Sequence, residues 1–306
     1  MLLAHVTERT DVHAHLVPPP YLRHLRDRPD HPAVRAHLPW LLPFAEHDAD
    51  ALVAGMDAAG VDVSWVSLPP PGVVADDART AAVRARELND VLAEAAAEHP
   101  GRLLPVPLLP LAHPAACAEI LDGLPDCPAV TVHLRPSGTQ PDDPEFRPVL
   151  AELQARGLPL FLHPGVEPLT PLAEPWSLAG AVSAPTATTL ALARLVHSGT
   201  LDALPGLTLV LPHLGGALPA LLTRLEDQAR GQARHGLRHY LTTRTVLDSA
   251  CFDPHALRWA RAALPGARIV LGSDAPFRGP LTRAVDVFAS IAGPLTVPAP
   301  ESRRAG

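Results

Sequence analysis

Eight short apolar runs alternate with eight stretches of helical period along 306 residues, and this alternation predicts the α/β class and a closed (β/α)8 TIM barrel. The runs are almost wholly apolar, as in Leu207-Thr208-Leu209-Val210-Leu211, the pattern of parallel strands buried on both faces. Several end in a histidine or an aspartate, which in a barrel lands on the rim where active sites are built. The alternative is an open doubly wound sheet, but no glycine-rich nucleotide fingerprint follows the first strand.

The first strand leads into Asp11-Val12-His13-Ala14-His15. His13 and His15 are two apart on an element of period two, so both imidazoles point to one face. Residues 16–46 then carry Pro18-Pro19-Pro20, Pro29, Pro32, Pro39 and Pro43, and are expected to form a long loop with one short helix at 21–26. A loop of this length in a compact domain is usually functional, so it is expected to be a substrate lid or pocket wall.

From Asp48 the pattern is periodic. A helix over 48–59, stopped by Gly60, leads to a strand over 61–68 that ends at Pro69-Pro70-Pro71-Gly72. Helix 75–99 precedes strand 103–109, and helix 114–124 precedes strand 129–134. Helix 144–156, stopped by Gly157, precedes strand 159–163. Helix 186–198 leads to strand 207–212, helix 218–230 to strand 246–250, and helix 254–264 to strand 268–271. A helix over 281–291 closes the series, and all 306 residues are read as one domain.

Composition narrows the partners. The chain is 47% hydrophobic and 19% charged, with a formal net charge of −7, so no basic surface is offered to nucleic acid or to an anionic membrane. It contains no lysine, which rules out a carbamylated-lysine metal bridge, a Schiff base and a P-loop. Cys117, Cys127 and Cys251 are odd in number and unpaired in spacing, as expected of reduced thiols in the cytoplasm. No apolar stretch reaches the roughly 18 residues that a bilayer span requires, and residues 1–10 show no apolar leader core.

The chemistry lies at the strand ends. His13 and His15 end the first strand, His163 the fifth, His213 the sixth and Asp274 the eighth. Three histidines and an aspartate can hold one divalent ion with room for a water, whose pKa the ion lowers towards about 7.

These residues also carry a resemblance. His-x-His after the first strand, His163-Pro164-Gly165, His213-Leu214-Gly215-Gly216-Ala217 and Gly272-Ser273-Asp274-Ala275-Pro276-Phe277 resemble the amidohydrolase superfamily, a metal-dependent hydrolase type of barrel. Within it they are most similar to the aminocarboxymuconate-semialdehyde decarboxylase-like branch, amidohydrolase family 2. The resemblance runs from Asp11 to about Arg283.

It implies a single divalent ion, usually zinc with manganese as the alternative, on His13, His15, His163 and Asp274. His213 would be the general base and then acid beside a metal-bound water, with Asp274 sharing that proton work in hydrolysis. Arg224 would cross a homodimer interface to bind the carboxylate of a small acid in the neighbouring subunit. Arg35 is the nearest match to a second carboxylate-gripping arginine. His133 and Trp176 would face the pocket mouth, and Asp11 would orient a ligand. The expected reaction is non-oxidative decarboxylation of a small unsaturated or aromatic acid. The alternatives are hydrolysis of an amide, lactone or ester on the same ion, and a catalytically silent barrel.

Overall fold

The computed structural model describes residues 6–7, 9–45, 47–135, 138–168, 170–173, 176, 178–251 and 253–292. Glu46, at the end of the expected lid, lies outside them. The eight strands are β1 (Thr10–His15), β2 (Val63–Ser67), β3 (Leu103–Pro105), β4 (Val130–Leu134), β5 (Leu160–Pro164), β6 (Leu209–Leu211), β7 (Thr245–Asp248) and β8 (Arg268–Val270). The helices between β1 and β4 are α1 (Pro19–Arg26), α2 (Pro32–Leu41), α3 (Ala49–Ala59), α4 (Ala78–Ala97) and α5 (Pro114–Leu121). There follow α6 (Arg147–Arg156), α7 (Ala184–His197), α8 (Thr200–Ala203), α9 (Leu218–Gln228), α10 (Leu237–Thr243), α11 (Pro254–Ala263) and α12 (Leu281–Ala292).

All pairings are parallel, in the order β1-β2-β3 and β4-β5-β6-β7-β8. Two bridges join these arcs into a ring: Leu108 pairs with Thr131, and Ala14 with Ala275. The Val12 amide also donates to the Leu271 carbonyl at 3.0 Å, and the Leu109 amide to Thr131 at 2.8 Å. The barrel is closed, as the alternation predicts. Its interior is a packed core to which every strand or its immediate flank contributes: Val12, Trp65, Val106 and Ala129 from one half, and Phe161, Val210, Val246 and Val270 from the other. Larger clusters fill the space between the ring and the helices.

The long segment after β1 differs from expectation. It holds two helices, α1 and α2, and a 3-10 turn over Leu42–Phe44, rather than a loop with one short helix. Three of the prolines explain much of the difference, although Pro39 lies inside α2. Pro19, Pro20 and Pro32 occupy first-turn positions, where a missing N–H costs no helical hydrogen bond. The segment is anchored rather than loose: Tyr21 donates to the Pro69 carbonyl at 2.6 Å and accepts from the Gly72 amide at 2.9 Å. The short helices α8 and α10 were not apparent in the sequence, and α7 is entered through a π-helix over Ala179–Ser183.

Candidate metal centre and active site

β1 is bulged between Asp11 and Ala14, where Val12 and His13 together face Trp65. The bulge re-aims His13 without disturbing His15. His13 Nε2 lies 3.0 Å from His15 Nε2 and 3.1 Å from His163 Nε2, the latter delivered by the end of β5. Asp274 Oδ1 stands 3.5 Å and 3.4 Å from the first two. All four ligand atoms fall within 4.8 Å of one another, and all four residues are buried.

Tautomers settle what this cluster can bind. His13 Nδ1 is 2.7 Å from Asp248 Oδ2, and His163 Nδ1 is 2.9 Å from the Pro164 carbonyl. His15 Nδ1 faces the Ser67 carbonyl at 3.3 Å and its hydroxyl at 3.1 Å. Carbonyl and carboxylate oxygens only accept, so the outer nitrogens carry the protons and the Nε2 lone pairs converge. Lone pairs about 3 Å apart with no proton between them repel unless a cation sits among them. The donor set therefore fits one divalent ion.

Burial, and after it the field of His15 and His13, hold His163 well below the ordinary histidine range. Burial lowers His15 as well. On His13 burial pulls the same way, but Asp248, Asp274 and Asp11 together outweigh it and raise the group. Burial would raise the Asp274 carboxyl, yet its close contacts with His15 and His213 and the field of His13 hold it well below the usual carboxylate range.

Asp274 is two-sided: Oδ1 faces the ligand histidines, whereas Oδ2 lies 3.3 Å from His213 Nε2 and 3.3 Å from Arg278 Nε. Both His213 and Asp274 sit in the left-handed backbone region, with φ of 55° and 51°. That conformation costs a non-glycine residue on the order of 1–3 kcal/mol and persists only where its surroundings fix it. Here the His213 amide donates to Asp248 Oδ1 at 2.7 Å, and the Asp274 amide to the His13 carbonyl at 2.7 Å. Gly216, next in the same loop, has no room for a side chain, since an added Cβ would stand 2.0 Å from the Pro185 carbonyl oxygen.

The cluster forms the floor of a cavity of about 1110 Å³, reached by His15, His163, His213 and Asp274. Arg35 and Trp40 of α2 line the cavity. Phe277 stacks on Trp40 with ring centroids 4.1 Å apart, and Ala179 and Gly180 of the π-helix also line the cavity. The lining thus mixes apolar residues with Arg35, Arg278 and Glu167.

The five strand-end residues singled out in the sequence thus meet at one point, and Arg35 lines the same cavity. His133 does not reach it. It is buried, with the backbone of Gly72 so close that a Cβ there would stand 2.5 Å from His133 Nδ1; the proline-rich turn after β2 covers it. Trp176 is 87% exposed and does not line the pocket. Arg224 lies on the exposed face of α9, 3.3 Å from Gln228 Oε1, outside the cavity of its own chain. Asp11 acts on backbone rather than on an imidazole, accepting from the His13 and Ser273 amides at 3.0 and 2.9 Å.

Asp248 and Arg278 were missed. Asp248 ends the apolar run Val246-Leu247, the same signal that marked Asp274. Arg278 follows the recognised Asp274 motif but has no local signature of its own.

Fold and donor set together define a metal-dependent barrel enzyme with a single divalent site. Comparison with known proteins agrees. A family model described as amidohydrolase matches residues 10–305. A gamma-resorcylate decarboxylase of Rhizobium radiobacter is 33% identical over 259 residues, covering 76% of this chain and 78% of that protein. The crystal structure of a 2,6-dihydroxybenzoate decarboxylase from Rhizobium superposes with a TM-score of 0.75 at 26% identity, over 91% of this chain and 90% of the other. A dihydroxybenzoic acid decarboxylase from Polaromonas, crystallised with manganese and 2-nitroresorcinol, gives 0.77 at 24% identity over 91% and 89%, a likeness of fold. The chain belongs to the amidohydrolase family, in the branch that the strand-end motifs indicated.

Proposed function

We propose that this protein is a metal-dependent, non-oxidative decarboxylase of a small aromatic carboxylic acid with a hydroxyl beside the carboxylate. The observation that carries this reading is the convergence of His13, His15, His163 and Asp274 at the floor of a cavity, with His213 beside them. The relatives, named as decarboxylases of such acids, support it.

His13, His15, His163 and Asp274 would hold the divalent ion, which would supply Lewis-acid chemistry to the bound acid. Trp40 and Phe277, which line the same cavity, offer aromatic surface to the substrate ring. His213 Nε2 delivers a proton to the ring carbon that bears the carboxylate. The bond to the carboxylate then breaks, CO2 leaves, and its electron pair restores the aromatic ring. Asp274 Oδ2, 3.3 Å away, keeps the His213 imidazole aimed. His213, partly open to the cavity, regains its proton from solvent.

We propose manganese ahead of zinc as the ion. The site contains no thiolate that would select zinc, and a like-folded structure holds manganese. A homodimer in which the exposed Arg224 serves the neighbouring site remains our reading of α9, and Arg224→Ala is expected to raise KM with little effect on kcat. The three free cysteines support the cytoplasm as the compartment, and no described helix is long and apolar enough to cross a membrane.

The test is to purify the protein, quantify bound metal, and screen ortho-hydroxybenzoates and muconate-type acids for CO2. Release that needs both the metal and His213 is expected. One metal per chain with no CO2 from any acid would overturn the reading in favour of a hydrolase.

A further inference from the structure

Arg278 stands where no role has been assigned to it. It follows β8 by way of Asp274-Ala275-Pro276-Phe277, and its side chain is 53% exposed while lining the cavity that His15, His163 and His213 floor. Its one hydrogen bond among the described residues runs from Nε to Asp274 Oδ2 at 3.3 Å, long for a charged pair. Both terminal Nη groups therefore remain available. The Nε contact is made on the side of Asp274 that faces His213, through Oδ2, not on the Oδ1 side that faces the ligand histidines.

The remaining charges sharpen the point. Glu167 also lines the cavity, but Arg135 Nε meets it at 3.0 Å, so it does not draw Arg278 away. Arg35 belongs to α2 on another wall. Arg224 points to the outside of this chain. Among the described residues, Arg278 is the arginine that touches the acid-base pair of the floor.

We propose that Arg278 grips the reacting carboxylate of the substrate, from within the same chain, through its two Nη groups. A guanidinium fork matches a carboxylate in bidentate geometry, which a single ammonium cannot do. The grip exists only while the carboxylate does. Once CO2 has left, the product offers the fork a C–H bond instead, so the same residue favours binding of acids and release of neutral phenols. This assignment rests on the decarboxylase reading and names the feature of the substrate that the pocket selects.

The experiment separates the two. Manganese-loaded wild type, Arg278→Ala and Arg278→Lys are titrated calorimetrically with benzoate, which lacks the ortho hydroxyl, and with neutral resorcinol, and bound metal is quantified in each. Loss of the fork is expected to weaken benzoate about tenfold to a hundredfold and to leave resorcinol within about twofold, with Lys intermediate and metal content unchanged. Equal benzoate affinity in all three proteins would overturn the proposal. So would a parallel loss of benzoate and resorcinol, or loss of metal in Arg278→Ala, either of which would make Arg278 a prop for Asp274. CO2 release by wild type is assayed separately, so its absence beside an Arg278-dependent benzoate affinity would sink the reaction and not the grip.

Discussion

Asp248 Oδ2 lies 2.7 Å from His13 Nδ1 although 235 residues separate the two, and Asp248 Oδ1 accepts the His213 amide at the same distance. One buried carboxylate therefore sets the tautomer of a metal-binding histidine and the backbone of the proposed acid-base histidine.

Removing that carboxylate is expected to strike the metal first. Partners that orient a ligand histidine typically account for about 10- to 100-fold in metal affinity. Asp248→Ala should show a loss of that size in a competition titration against a chromophoric chelator, together with lower kcat because the His213 loop loses its anchor. Unchanged metal affinity would mean that His13 is held by its strand alone.

Metal should also stabilise the fold. The converging Nε2 lone pairs of His13, His15 and His163 repel one another without a cation, and an ion that binds only the folded chain adds about 2.7 kcal/mol at a hundredfold excess over Kd. Thermal unfolding followed against manganese concentration is expected to show Tm rising with each increment and falling on chelation. A flat profile would show that the cluster binds no ion.

Gly216→Ala tests the floor's backbone. Its Cβ would stand 2.0 Å from the Pro185 carbonyl oxygen, and the residue has a φ of 72°. A cost of about 2 kcal/mol or more is expected from strain and overpacking. Urea unfolding measures it, and CO2 release should fall by more than the unfolded fraction explains, because His213 precedes this turn.

Acid should loosen the wall that carries Arg35 and Trp40. His37 of α2 donates from Nδ1 to the Ala33 carbonyl at 2.7 Å and accepts the Val166 amide at Nε2, 3.0 Å. Burial pulls its pKa down to about 4 from an ordinary value of 6.5. The unfolded chain therefore binds this proton between pH 6.5 and 4 while the folded chain does not. Stability from this group is complete above pH 6.5 and declines as pH falls to 4, by about 3 kcal/mol in all. His37→Gln is expected to flatten that part of the stability profile measured by urea unfolding, and an unaltered slope would contradict it.

Much of this molecule is legible without coordinates. The apolar runs and helical periods give the barrel, since a strand buried on both faces must be apolar along its length. His13, His15, His163, His213 and Asp274 stand out because each ends such a run, where polarity is tolerated only at the rim. Gly60 and Gly157 mark helix ends that the structure places in the left-handed region. Asp248 obeys the same rule as Asp274 and was readable by it.

Other features have no local signature. Prolines in residues 16–46 read as breaks, yet three of them start helices, because a proline's effect depends on which turn it occupies. His133 ends β4 beside His163 as the register predicts, but the turn after β2 covers it. Arg278 and Arg224 are alike as exposed arginines in sequence; closing the ring brought one to the cavity and left the other on the outer surface. The sequence by itself determined the barrel and the identity of the converging ligands, because both follow from the polarity of short segments. Only the tertiary structure decided which nitrogen of each ligand is free, which carboxylate holds His13 and which arginine meets the substrate, because those relations are set by contacts between strand ends far apart in the chain.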